Sequence, residues 1–360
     1  MYVFTRRTNR RIRNAAIAAV TAMALTSCGG SSADDTSDTA VAQDGTADLR
    51  GQTITIYSGR SETLMAPLFT QFTKDTGIIV DVRYGDSGEM AALILTEGDK
   101  SPADVYFSQD AGALGAVEDA GLLATLPGDI TTLVEPQYRS TNNQWIATSG
   151  RARVVVYNTE LVATPPASLD ELLDPQWKGK IGYAPSNASW QSFVTALRVT
   201  RGEDAARTWL EGFAANQPVA FEKNGVVRDA VNAGEISLGL INHYYLYELI
   251  SKVGEDKVVA KNHYFKDGEA GSLVNIAGVG ILTSSSKSAA AQALVRYLLS
   301  TAGQSYFTLR TFEYPMTPGV IPFYELPTLE ELNPPAIDLA DLRSLETTQA
   351  MLSEVGLLTK

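Results

Sequence analysis

An alternation of short strand-like and longer helix-like stretches constrains this chain more than any other feature. Residues 53–57 alternate polar and apolar, the period-two mark of a strand. Ser58-Gly59 predicts a turn, and Ser61 an N-cap for a helix running to Thr76, with Gly77 as its C-cap. Leu64, Met65, Leu68, Phe69 and Phe72 recur along it at helical spacing. The pattern continues with a strand at 78–84, a helix at 89–97, a strand at 103–107 and a helix at 111–120 before Gly121. It then restarts, with strands at 153–157, 180–184, 237–241 and 274–282. Helices are predicted at 188–199, 204–214, 225–233 and 288–300. Helices between strands indicate βαβ units on a largely parallel sheet, hence an α/β fold. Two such runs predict two lobes enclosing a cleft. A body of about 310 residues is also more than one core usually serves.

The N-terminal end speaks to compartment. Residues 1–14 carry five arginines and no acid, and an apolar run at 15–25 follows, interrupted only by threonine. That run is too short to span a bilayer. A basic region followed by a short apolar one is the layout of a cleaved secretory signal, expected here at residues 1–27. Leu25-Thr26-Ser27-Cys28 resembles the lipobox of bacterial lipoproteins. The resemblance implies that Cys28 becomes the acylated first residue, anchoring the chain to the cell membrane from outside. One acyl chain holds weakly, but the resemblance implies several. Cys28 is the only cysteine, so no intramolecular disulfide can form. Residues 29–49 are rich in Gly, Ser, Asp and Thr and poor in apolar side chains, which predicts a flexible tether within 28–50.

Charge excludes one class of partner. The chain carries −12, and removing residues 1–27 with their five arginines brings it to −17. Nucleic-acid binding rests on phosphate neutralisation by Lys and Arg, so so acidic a body argues against it. A secreted enzyme finds little support, because the chain has no Gly-x-Ser-x-Gly, no His-Glu-x-x-His and no cysteine nucleophile in its body.

One run stands out chemically. Asn242-His243-Tyr244-Tyr245 follows directly on a predicted strand. Adjacent tyrosines within a helix diverge by about 100°, whereas at a strand-to-helix junction both can reach one cleft. Phenolate oxygen suits a hard trivalent cation, whose charge releases the phenol proton despite an ordinary pKa near 10. Aromatic packing with Tyr247 is the competing reading of the same residues.

Six runs together resemble the ferric-ion-binding proteins of bacterial iron importers, from residue 52 to the end. They are Ile56-Tyr57-Ser58-Gly59-Arg60, Pro102-Ala103-Asp104-Val105, the stretch from Trp145 to Tyr157, Trp177-Lys178-Gly179-Lys180-Ile181-Gly182, Ile241-Asn242-His243-Tyr244-Tyr245 and Glu313-Tyr314-Pro315. Each is weak alone, and their ordered combination is specific.

The resemblance implies a two-lobed periplasmic-binding-protein fold with hinge strands and a ligand cleft. Residues 51–150 plus 273–325 would form the first lobe and 151–272 plus 326–360 the second, hinged near Gly150 and Gly271. It implies Fe3+ as cargo, held by Tyr244 and Tyr245 with carbonate, phosphate or citrate as a synergistic anion. The carrier would be a monomer delivering to an ABC permease. The anion pocket carries over to Asn187, Ala188, Ser189, Asn224 and Asn242. Helix N-termini suit anions, although asparagine is also simply a favoured N-cap. Arg151 is a further candidate, either through bidentate bonding to the anion or as an interlobe salt bridge. The chain departs from the family at two points. Where some relatives place a histidine or tyrosine after the first strand it reads Arg60-Ser61-Glu62, and neither His243 nor His263 replaces it. The family glutamate after the third strand aligns with neutral Gln109, leaving Asp110, which also suits a helix cap, and Glu62 as substitute oxygens. Within the same class, a phosphonate or other phosphorylated ligand, thiamine or a polyamine is the alternative cargo.

Overall fold

The computed structural model describes residues 48–322 and 326–358. The expected signal segment, Cys28 and most of the tether lie outside the described residues. The strands in the first run are β1 (Thr53–Ser58), β2 (Ile79–Tyr84), β3 (Val105–Ser108), β4 (Trp145–Asn158) and β5 (Ile181–Tyr183). They are followed by β6 (Val219–Ala220), β7 (Leu238–Asn242), β8 (Ala260–His263), β9 (Val274–Ile281) and β10 (Tyr314–Pro315).

Two sheets share one long strand. In the first, β2, β1 and β3 run parallel, and β9 and then β4 continue antiparallel. The helix Glu62–Thr76 crosses from β1 to β2 and buries Met65, Leu68, Phe69 and Phe72, the stripe its spacing predicts. Gly77 ends it at φ +77°, its amide donating to the Thr73 carbonyl at 2.8 Å, a left-handed cap that glycine adopts freely. In the second sheet β4 pairs with β7 on one edge and β8 on the other, and β7 continues parallel into β5 and β6.

The sheets change over within β4. Residues as far as Ala152 pair with β9, and those from Arg153 onward pair with β7. The sequence pattern predicts a strand only at 153–157, whereas β4 begins at Trp145. The missing half, residues 145–152, is interrupted by Thr148-Ser149-Gly150-Arg151 and lacks apolar periodicity, yet all four of these are buried. Their polar groups are bonded there, as when the Thr148 hydroxyl donates to the Ala277 carbonyl at 3.1 Å. Other expected elements lie within a few residues of their predicted ends. The short strands β6, β8 and β10 and the helices Thr301–Arg310 and Leu345–Glu354 were not anticipated.

Packing follows from this frame. Tyr183, Trp190, Phe193, Trp209 and Phe213 form an aromatic core beside the second sheet, with ring centroids 5.0–5.8 Å apart. Trp190, expected to be a packing residue, is fully buried in it. The C-terminal stretch touches two helices that both begin at the site described next. Backbone of Leu342 lies so close to Gly112, on Ala111–Asp119, that a Cβ there would meet its carbonyl at 2.6 Å. Thr348 bonds to Thr195 and Arg198 on the helix Ala188–Arg201, each at 2.7 Å. Among the described residues no helix is long and apolar enough to cross a membrane.

Candidate functional site

β7 ends at Asn242, paired with Arg153 of β4, and the helix Tyr244–Val253 begins two residues on. His243 is the pivot between them. Its amide donates to the Ala152 carbonyl at 3.0 Å, and its Nδ1 accepts from the Ala152 amide at 3.1 Å. Nε2 therefore carries the proton and donates to the Phe312 carbonyl at 2.8 Å. Burial pushes the imidazole down to about 4, leaving it neutral at neutral pH. With both nitrogens engaged, His243 positions the tyrosines and is not a ligand.

The two tyrosine rings stack, centroids 4.3 Å apart and planes 28° from parallel. Consecutive helical positions point about 100° apart, so the side-chain torsions at the first turn bring the rings together. Burial, and next the neighbouring Tyr245 phenol, push the Tyr244 phenol well above its ordinary value, against the opposing charge of Arg151. The Tyr244 phenol is thus protonated at neutral pH, and a cation binding there must displace its proton.

Tyr244 and Tyr245 line a cavity of about 330 Å³ together with Gln109, Ser61, Glu248 and Glu313. Gln109 comes from the end of the first sheet and the tyrosines from the end of the second, so both contribute walls. Gly59 and Arg60, directly after β1, shape the near side. A Cβ on Gly59 would meet the Ser87 Oγ at 2.1 Å, so only glycine fits that approach. The next residue, Arg60, turns inward, 1 % exposed, and its Nη1 meets both carboxylate oxygens of Glu313 at 3.0 Å. Burial alone would raise Glu313, but Arg60 and Arg151 more than offset it and hold the carboxyl below its usual range.

Gln109 also lines a second, smaller cavity of about 10 Å³, with Asp110, Arg151, Arg153, Ala188, Ser189 and Asn242. Here the anion candidates converge. Asn187 caps the helix Ala188–Arg201, accepting from the Ser189 amide at 2.9 Å and hydroxyl at 2.7 Å. The Asn224 amide donates to Asn187 at 3.1 Å and to Ser189 at 2.8 Å. Asn187 is therefore both cap and cavity support, and Asn224 braces it without lining the cavity. Arg151 donates to the carbonyls of Gln109 and Ile276 and makes no ion pair among the described residues, so it is not an interlobe salt bridge. Arg153 donates to Ser189 and the Leu240 carbonyl, and burial lowers it to about 9.

The structure separates the substitute oxygens. Asp110 caps its helix, accepting from the Ala113 amide at 2.9 Å, and faces the small cavity. Glu62 is exposed, lines neither cavity, and exerts its charge on Tyr84. Sequence reasoning missed Glu248, Glu313, Arg60 and Arg153. For Glu248 a signal was present, since it follows the two tyrosines at three and four residues, the spacing of one helix face.

The profile of bacterial extracellular solute-binding proteins matches residues 88–344. The chain belongs to that family. It is 38% identical to the Fe(3+)-binding periplasmic protein of Serratia marcescens over 310 residues, 85% of this chain and 91% of that one. Iron-bound HitA from Pseudomonas aeruginosa superposes with a TM-score of 0.79 at 34% identity, covering 85% of this chain and 100% of the other. The Trichodesmium protein IdiA (FutA), in complex with iron and citrate, gives 0.72 at 28% identity over 85% and 99% of the two chains. Within the family this solute-binding protein falls among the ferric-ion-binding proteins, with their two-lobed fold and interlobe cleft.

Proposed function

We propose that this chain is the solute-binding protein of an ABC-type importer, and that it takes up ferric iron with a synergistic anion for delivery to a membrane permease. The observation that carries the reading is the stacked pair Tyr244 and Tyr245 on a cavity of about 330 Å³. Two phenols there offer hard anionic oxygen once a trivalent ion displaces their protons. The similar Serratia protein is named for ferric binding. Carbonate, phosphate or citrate would sit against Arg151, Ser189, Ala188 and Asn242, at the N-terminus of Ala188–Arg201. Such an anion needs more room than about 10 Å³, so that cavity must open toward Gln109 on binding.

The remaining parts of the reading follow from the sequence. Acylated Cys28 would hold the protein at the outer face of the membrane through the tether at 28–50. Residues 51–150 with 273–325, and 151–272 with 326–360, would move as two lobes bending near Gly150 and Gly271 and closing on cargo. The protein then acts as a carrier rather than an enzyme.

Equilibrium dialysis tests the cargo. The purified protein should take up one ferric ion per chain when carbonate, phosphate or citrate is present. Calorimetry in buffers of different ionisation enthalpy should then detect about two protons released per iron. Affinity should accordingly fall as pH falls, by up to about 100-fold per unit, because binding forms two phenolates. Uptake no greater than that of an unrelated protein in all three anions would refute the reading.

A further inference from the structure

We propose that Glu248 is a ligand of the bound ion, the third anionic oxygen of the site. This inference rests on the ferric reading above and deepens it. A trivalent ion held by two phenolates still carries one uncompensated positive charge. Of the carboxylates near the site, one is placed and free to supply the missing negative charge.

Asp110 is spent as a helix cap in the smaller cavity. Glu62 points to solvent beside Tyr84. Glu313 does line the tyrosine cavity, but both of its oxygens bond to the Arg60 Nη1 at 3.0 Å. Glu248 lines the same cavity, three residues after Tyr245 and four after Tyr244, on the same face of their helix. Its one ion-pair partner among the described residues is Arg228, whose Nη1 stands 3.7 Å from Oε2, beyond hydrogen-bond length.

Arg228 is itself anchored elsewhere. Its Nη1 donates to the Tyr245 carbonyl at 2.9 Å, and its Nη2 lies 2.7 Å from Asp229. The guanidinium thus stands as a fixed positive rim that turns the Glu248 carboxylate without saturating it. Ligation forms a carboxylate-oxygen bond to the ion and transfers no electron; any proton on the carboxyl leaves to solvent as the bond forms. Two phenolates and one carboxylate match the trivalent charge from the chain's own side chains, with the synergistic anion completing the shell. The carboxylate also replaces the charge that neutral Gln109 cannot provide.

The test titrates wild type, Glu248→Gln and Glu248→Asp with ferric citrate, reading the visible phenolate-to-iron band and the citrate concentration that strips the iron. Glu248→Gln should keep the band but move it to longer wavelength, because a less donating shell leaves the iron easier to reduce. It should release iron at a citrate concentration at least about 10-fold lower. Glu248→Asp keeps the charge, folds on the same helix face, and should return the band toward its wild-type position. A Glu248→Gln band and stripping curve identical to wild type would overturn the proposal alone. So would identical behaviour of the Gln and Asp variants. A wild type with no band at all would overturn the ferric reading and this inference together.

Discussion

Tyr244→Phe/Tyr245→Phe is expected to abolish ferric binding while leaving the fold intact. Both rings remain, so the stack at 4.3 Å and the packing around His243 survive. The two hydroxyls leave together, so neither is stranded beside a vanished neighbour. Four-ligand structural metal sites contribute about 10–16 kcal/mol, or roughly 3 kcal/mol per ligand. Losing two should weaken iron by on the order of 10⁴-fold. Competition with citrate measures that loss, and the melting curve of the iron-free variant should match wild type within about 1 kcal/mol. Retention of iron within 10-fold of wild type would mean that other groups hold it.

The second large effect concerns stability. Arg60 and Glu313 are 1 % and 2 % exposed and meet across 253 residues of sequence. Removing one member of a buried pair strands the other charge, at a cost of about 3–5 kcal/mol. Glu313→Gln should therefore lower the melting temperature by roughly 5–15 °C. Arg60→Met/Glu313→Leu removes both charges and should recover most of that loss, because well-packed apolar replacements of buried pairs are often neutral. Thermal and denaturant melts of the iron-free proteins decide it. A Glu313→Gln protein as stable as wild type would mean that water reaches the Arg60 guanidinium.

Much of this architecture was legible because it is local. The helix Glu62–Thr76 announces itself by Met65, Leu68, Phe69 and Phe72, and Gly77 marks its end. The junction after Asn242 was readable for the same reason, since a short, largely apolar run stops where a helical one begins. Asn187 was visible as a cap, and it is one. What escaped is long-range or aperiodic. No local pattern connects Arg60 to Glu313. The first half of β4 carries no alternation, because it is buried on both faces and its polar run at Thr148, Ser149 and Arg151 is bonded internally. Strands of two residues, such as β10, are too short to have a period at all. Glu248 lay in plain sight at helical spacing, but the run Tyr-Tyr-Leu-Tyr-Glu also reads as an ordinary amphipathic face. Only the shared cavity distinguishes the two.

Phenolate oxygen of Tyr244 and Tyr245 meeting ferric iron is the central contact. An absorbance spectrum of the wild-type protein before and after ferric citrate tests that contact directly. A broad visible band, pink to orange, should appear as the phenols lose their protons to the metal. No band with carbonate, phosphate or citrate, each supplied in turn, would contradict coordination by this pair.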